Sequence, residues 1–339
     1  MIYNIETGGW QMDWRIVAAV GGALLAAAGH RASAAESWDL AIAYPPGNYQ
    51  TKSAERFAAE VAKATNGEVT IKVQAGGALG FKGPEMLGTI RNGLVPAGSM
   101  LLNQQVGVEP LLGIASLPYL VSSPAEMRLI NEIARPAYDQ IAAKHRQKIL
   151  YMVPWPGQNI FAKTEIKTPD DFRSLKIRTV DRNGSDYFRE LGAAPAQMPW
   201  GEVVPALATG VINSVTTSSS SGVDGQFWDF MGFCHLVNWQ SNFDMVTVNL
   251  NAWKRLSPDQ QRAIEEAAKR LEPEFWKAAE QEDADKLKLM AGKGMKMIEA
   301  SDALRAFMTS KAAPSWDAFA ANVPGAREIL EKYRAAAKK

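Results

Sequence analysis

The first regular pattern in the chain is an alternation. Trp38-Asp-Leu-Ala-Ile-Ala-Tyr44 places large apolar residues at 38, 40, 42 and 44, the period of a strand with one buried face. From Thr51 to Thr65 the period lengthens, so that Ala54, Phe57, Ala58, Val61 and Ala62 share one side of a helix, and Asn66-Gly67 supplies residues that end helices in the left-handed conformation. Val69, Ile71 and Val73 then alternate again. The order strand, helix, strand predicts a parallel α/β sheet. Downstream, Ser123-Pro124, Thr168-Pro169 and Ser257-Pro258 each set a capping hydroxyl before a proline at the first helical position. Ser257…Gln260 and Thr168…Asp171 add capping boxes. Short strands are expected at 148–153, 175–179, 211–216 and 245–249. From Pro258 onward the pattern is almost wholly helical, and Pro273 is expected to kink or split it.

Ahead of the first strand, residues 16–28 form an uncharged apolar run too short to cross a bilayer as a helix, followed by small residues at Ala32-Ser33-Ala34-Ala35. Residues 1–35 therefore read as a signal peptide cleaved near Ala35. Glu6 and Asp13 dilute the positive start such a signal wants, and a start at Met12 in place of Met1 would restore it.

A length of 339 residues suggests two domains, with no flexible linker between them and hence a cleft at their junction. The balance of 37 Lys plus Arg against 36 Asp plus Glu offers no field for gathering nucleic acid. One cysteine, Cys234, and three histidines exclude an intramolecular disulfide and a Cys/His metal cluster. No enzyme motif can be assembled. Gly76–Gly83 has the glycine spacing of neither a dinucleotide fingerprint nor a Walker loop, and there is no nucleophile elbow and no His-Glu-x-x-His. His235, among Phe233, Leu236 and Val237, reads as a core histidine. No cofactor and no metal are expected.

Several phrases match a known family in order. Lys167-Thr-Pro-Asp-Asp-Phe-Arg-Ser-Leu-Lys-Ile-Arg178, Ala206-Leu-Ala-Thr-Gly-Val-Ile212 and Leu117-Pro-Tyr119 resemble stretches of TRAP transporter solute-binding proteins, the receptors of tripartite ATP-independent periplasmic transporters. Tyr44-Pro, Thr65-Asn-Gly67 and Leu256–Gln261 fall in comparable places, and the resemblance spans 38–335. It implies an α/β periplasmic-binding-protein fold of two lobes, with mixed sheets flanked by helices, a ligand cleft between them and a helical C-terminal region. Lobe 1 is expected over 36–153, completed by about 246–290, and lobe 2 over 154–245, with helices of 291–339 packing across both. The implied partners are a small organic acid and the TRAP permease subunits, and a monomer is expected.

The resemblance assigns Arg178 to the ligand carboxylate, a role suited to a planar guanidinium that stays charged. Where relatives often carry a second arginine, Gly157-Gln-Asn-Ile-Phe161 has Asn159, which argues for a monocarboxylate. Where many carry an asparagine ligand, Asn213-Ser-Val-Thr-Thr217 and Ser218-Ser219 offer hydroxyls. Trp155, Gln158, Trp200, Trp239 and Phe243 stand beside these positions and suggest an aromatic wall, favouring an acid with an aromatic or otherwise apolar body, a 2-oxo or hydroxy acid being an alternative. Tyr44, Asn48, Tyr49, Phe81 and Lys82 lie in turns at strand ends of the first lobe, where open α/β sheets bind ligands. Two other classes stay open: a receptor that reports its ligand to a membrane kinase, and a secreted hydrolase.

Overall fold

The computed structural model describes residues 1, 3 and 35–337; the expected signal segment, apart from Met1, Tyr3 and Ala35, lies outside the described residues. Its strands are β1 (Glu36–Ala41), β2 (Val69–Gln74), β3 (Ala97–Leu101), β4 (Gln147–Pro154), β5 (Asn159–Ala162), β6 (Lys176–Thr179), β7 (Ala194–Gln197), β8 (Ser214–Thr217), β9 (Phe233–Leu236), β10 (Phe243–Asn249) and β11 (Lys296–Glu299). They form two sheets, β2-β1-β3-β10-β4 and β11-β9-β5-β8-β6-β7. The expected parallel pairing holds for β1 with β2 and β3. β10 then inserts antiparallel between β3 and β4, so the sheet is mixed. The second sheet is mixed too, with β5 antiparallel to both β8 and β9.

Each sheet belongs to one lobe and is buried on both faces. In the first, Trp38, Leu40 and Ile42 pack toward helix Tyr49–Ala64, while Ala41, Met100, Met152 and Met245 enter a separate core against helix Pro124–Lys144. In the second, Ile160 and Ile177 share a core with Phe172 and Phe188, and Phe161 and Val215 one with Phe227. Opposite parity of neighbouring residues sends them to opposite cores.

Helix Pro258–Gly292 ties the lobes together, starting in the expected Ser257/Gln260 capping box. Pro273 does not split it. The proline forfeits one backbone hydrogen bond, but Ile264, Ala267, Ala268 and Leu271 before it and Phe275, Trp276 and Ala279 after it are all buried in the first lobe's cores. Met290, near its other end, is buried with Phe161 and Phe227 of the second lobe. Two further expectations shift. The strand placed at 211–216 begins only at Ser214, because the turn at Gly210 (φ 75°) leaves Val211 exposed. The C-terminal region is not all helix: four residues form β11, parallel to β9, too short and too alternately charged to stand out in sequence. Of the last helices, Asp302–Ser310 contributes Leu304 and Met308 to the second lobe, and Ala326–Ala337 contributes Ile329, Leu330 and Tyr333 to the first.

Candidate ligand site

Two segments cross side by side from lobe to lobe, 155–158 and 239–242. Trp155 N–H donates to the Asn242 carbonyl (2.9 Å), Gln158 N–H to that of Gln240 (2.9 Å), and Trp239 N–H to that of Gln158 (3.1 Å). The result is a two-stranded ribbon with two faces. Trp155, Gln158 and Asn242 face a small cavity, whereas Pro156, Gly157, Asn238 and Ser241 face a different pocket of about 190 Å³ on the far side; Trp155 touches both.

Arg178 reaches the small cavity from β6 and is 2% exposed. Its Nε and Nη2 both donate to the Met198 carbonyl, at 3.1 and 3.0 Å, which fixes the guanidinium plane. Among the described residues no carboxylate lies within ion-pair distance of it. Burial pulls its pKa down to about 10, opposed by the nearby Asp181, so it stays charged at neutral pH. Asp181 is itself fully buried and caps helix Arg182–Glu190, accepting from Gly184 N–H at 2.6 Å. The same carboxyl accepts from Gln240 Nε2 (3.1 Å) and from Asn103 Nδ2 of the first lobe. Burial raises its pKa to about 6 against the pull of these donors and of Arg178.

The rest of the wall mixes aromatic faces with polar groups. Tyr44 and Trp155 meet edge to face at 4.8 Å, and Trp200 faces them from the second lobe. Thr217, Ser218 and Ser221 line the cavity from the end of β8 and the short helix Ser219–Asp224. Gln158 Oε1 and Asn242 Oδ1 are buried acceptors without a donor among the described residues, in residues 4% and 2% exposed. Unmatched buried acceptors are costly, and a ligand N–H or O–H would satisfy them. The cavity volume is about 30 Å³, against roughly 10–15 Å³ needed for one water, so it suits a compact solute.

Of the residues singled out in sequence, Arg178, Trp155, Gln158, Trp200, Thr217, Ser218 and Tyr44 come together here. The others lie elsewhere. Asn159 is fully buried and its Oδ1 accepts from the N–H groups of Val237 (3.1 Å) and Asn238 (3.3 Å), shaping the ribbon's turn. Ser219 Oγ donates to Asp283 of the long helix at 2.6 Å. Trp239 stacks on Tyr187 in the second lobe's core and donates from Nε1 to Thr216 (2.6 Å), and Phe243 packs against Trp276 in the first lobe. Tyr49 backs the Trp155 ring at 5.3 Å and donates to the Pro154 carbonyl (2.6 Å). Asn48 bridges the lobes through Asp224 at 2.6 Å. Phe81 and Lys82 sit at the cleft's mouth, where Lys82 pairs with Glu202 at 2.7 Å.

Leu101, Gln104, Val180, Ser221 and Asn242 also line the cavity and were not anticipated. The polar runs Asn103-Gln104-Gln105 and Gln240-Ser241-Asn242, each set between apolar residues, were the available signals.

This is the architecture of a receptor that encloses a solute. The family described as bacterial extracellular solute-binding protein, family 7, matches residues 40–322, and the chain belongs to it. Its members are solute receptors of TRAP transport and not enzymes. The chain is similar to DctP7 of Bordetella pertussis, an extracytoplasmic solute receptor binding pyroglutamic acid: 28% identity, TM-score 0.86, covering 88% of this chain and 100% of that one. A marine metagenome TRAP solute-binding protein specific for pyroglutamate is 27% identical at TM-score 0.85, covering 89% and 99%. A solute-binding protein of Chromohalobacter salexigens is 28% identical over 325 residues, 92% of this chain and 93% of its own.

Proposed function

We propose that this chain is the periplasmic receptor of a TRAP transporter for a compact organic monocarboxylate, with pyroglutamate the leading ligand, delivered to membrane permease subunits. The observation that carries the reading is Arg178: a buried guanidinium, free of any ion pair among the described residues, at a cavity that no other Lys or Arg lines. A single cation asks for a single carboxylate. The small volume favours a five-membered ring over the larger aromatic bodies that the tryptophans suggested. A lactam offers an N–H for the acceptors Gln158 Oε1 and Asn242 Oδ1 and a carbonyl for the hydroxyls of Thr217 and Ser218. Two structural relatives of similar identity are described as binding pyroglutamate.

The test is a thermal-shift screen of the mature protein against pyroglutamate, aromatic acids, 2-oxo acids and sugar acids. A ligand at about 100 times its dissociation constant adds roughly 2.7 kcal/mol of stability. Pyroglutamate is expected to give the largest shift and Arg178→Ala to abolish it; an unchanged shift in the variant overturns the assignment of Arg178.

A further inference from the structure

Beneath the cavity lies a carboxyl that the carboxylate-binding role does not explain. Asp244 opens β10 and is fully buried. Its Oδ1 accepts from the Tyr44 hydroxyl at 3.1 Å, and the Tyr44 ring lines the cavity. Among the described residues its Oδ2 closes no hydrogen bond, while Ser99 Oγ and Trp155 Nε1 lie close enough to favour its ionised form.

The groups facing Asp244 are Ser99 from β3, Tyr151 from β4, Tyr44 after β1, Tyr49 from helix Tyr49–Ala64 and Trp155 from the ribbon, all of them neutral. Further charges reach only these neighbours. Arg178 acts on Tyr44, Asp224 and Glu282 act on Tyr49, and Glu272 acts on Tyr151. With Asp181 ionised beside Arg178 and Asp244 ionised behind Tyr44, a bound monoanion would bring a third carboxylate into one dry space. Burial of like charges is relieved most readily by a proton on the group with the fewest donors. Both oxygens of Asp181 accept hydrogen bonds, from Gly184, Gln240 and Asn103, whereas among the described residues only one oxygen of Asp244 closes a bond, the one to Tyr44.

We infer that Asp244 sets the charge of the cavity and takes up a proton from solvent as a monoanion docks on Arg178, so that the receptor captures its acid as anion plus proton. This rests on the monocarboxylate reading above. Burial already raises the Asp244 carboxyl to about 7 in the free protein, opposed by Tyr44, Ser99 and Trp155, so it loses its proton near neutrality; an added anion would raise it further. The linkage has one sign. Affinity is flat below the free-state pKa and falls by up to tenfold per pH unit above it, until the bound state also releases the proton.

The experiment is calorimetric titration of the mature protein with L-pyroglutamate, from pH 6 to pH 9, in buffers of different ionisation enthalpy, repeated with Asp244→Asn. Wild type is expected to take up a fraction of a proton near pH 7, approaching one at higher pH, and to weaken up to tenfold per unit above about pH 7.5. The variant, still able to accept from Tyr44, should bind with a pH-independent affinity equal to that of wild type at pH 6. Wild-type binding that is flat in pH with no proton uptake overturns the inference and leaves the ligand reading standing, provided Arg178→Ala still abolishes binding. A variant that keeps the wild-type slope also overturns it, with the proton then assigned to Asp181. No binding at any pH removes both readings. Should Asp244→Asn not fold, the wild-type proton uptake and a carboxyl carbon-13 titration of Asp244 with and without ligand decide: no ligand-induced rise in its pKa refutes the inference.

Discussion

The lobes meet at two kinds of contact. At the rim, Lys82 and Glu202 form an ion pair whose side chains are 57% and 52% exposed. In the interior, Asn103 bonds to Asp181 with both residues almost wholly buried, beside a guanidinium that has no ion-pair partner among the described residues. Opposite charges at the rim are solvated and screened, and such pairs contribute about 0–1 kcal/mol. The interior pair stands in a low dielectric, where losing one partner strands the other. On the proposed reading, affinity and specificity would reside in the interior, and the rim would set how fast the cleft shuts.

The largest effect expected from this contrast is at Arg178. Arg178→Lys keeps the charge but loses the fork that holds both the Met198 carbonyl and a carboxylate, and should weaken ligand binding by about 2–5 kcal/mol in titration calorimetry. Near-wild-type affinity would show that charge alone suffices. Asp181→Ala comes next: it strands Asn103 and Gln240, removes the nearby negative charge that favours Arg178 and removes a helix cap, so denaturant unfolding should show a loss of about 3–5 kcal/mol.

Acidification gives a smaller, signed effect. Asp181, Asp224 and Asp244 have folded-state values of about 6, 6 and 7, all raised by burial above the ordinary carboxylate range. The folded chain binds more protons than the unfolded chain between about pH 4 and pH 7, so these groups add stability as pH falls through that window. Melting temperature should hold or rise from pH 7.5 to pH 5.5, and Asp244→Asn should flatten the trend; a steep fall would place the controlling carboxylates elsewhere. Smallest of all, Lys82→Ala should leave affinity nearly unchanged, with its effect in stopped-flow rates and gone at high salt. A large salt-insensitive loss would erase the contrast between rim and interior.

Much of this was legible in the chain, for local reasons. Capping hydroxyls, the Trp38–Tyr44 alternation and the Asn66-Gly67 stop, with left-handed φ values of 51° and 81°, act within a few residues and read directly. Arg178 was found because it ends a phrase of family sequence, not because an arginine near a strand end is unusual. The misplaced aromatics show where such reading stops. Trp239 and Phe243 adjoin cavity positions in sequence, yet successive residues of an extended strand point to opposite sides, so Asn242 facing the cavity turns Phe243 into the first lobe's core. Gln104 and Asn242 needed the tertiary pairing of distant segments, which no local period encodes.

The crossing ribbon has its ligand cavity on one face and the 190 Å³ pocket on the other. Were the lobes to rotate about such a strip, the two spaces would change in opposite senses. A fluorophore attached at position 241, on the outer face, would therefore register the arrival of solute without touching it or competing for its place. A hinge at this ribbon would in this sense be a transducer, with its input inside the molecule and a readable output at the other pocket.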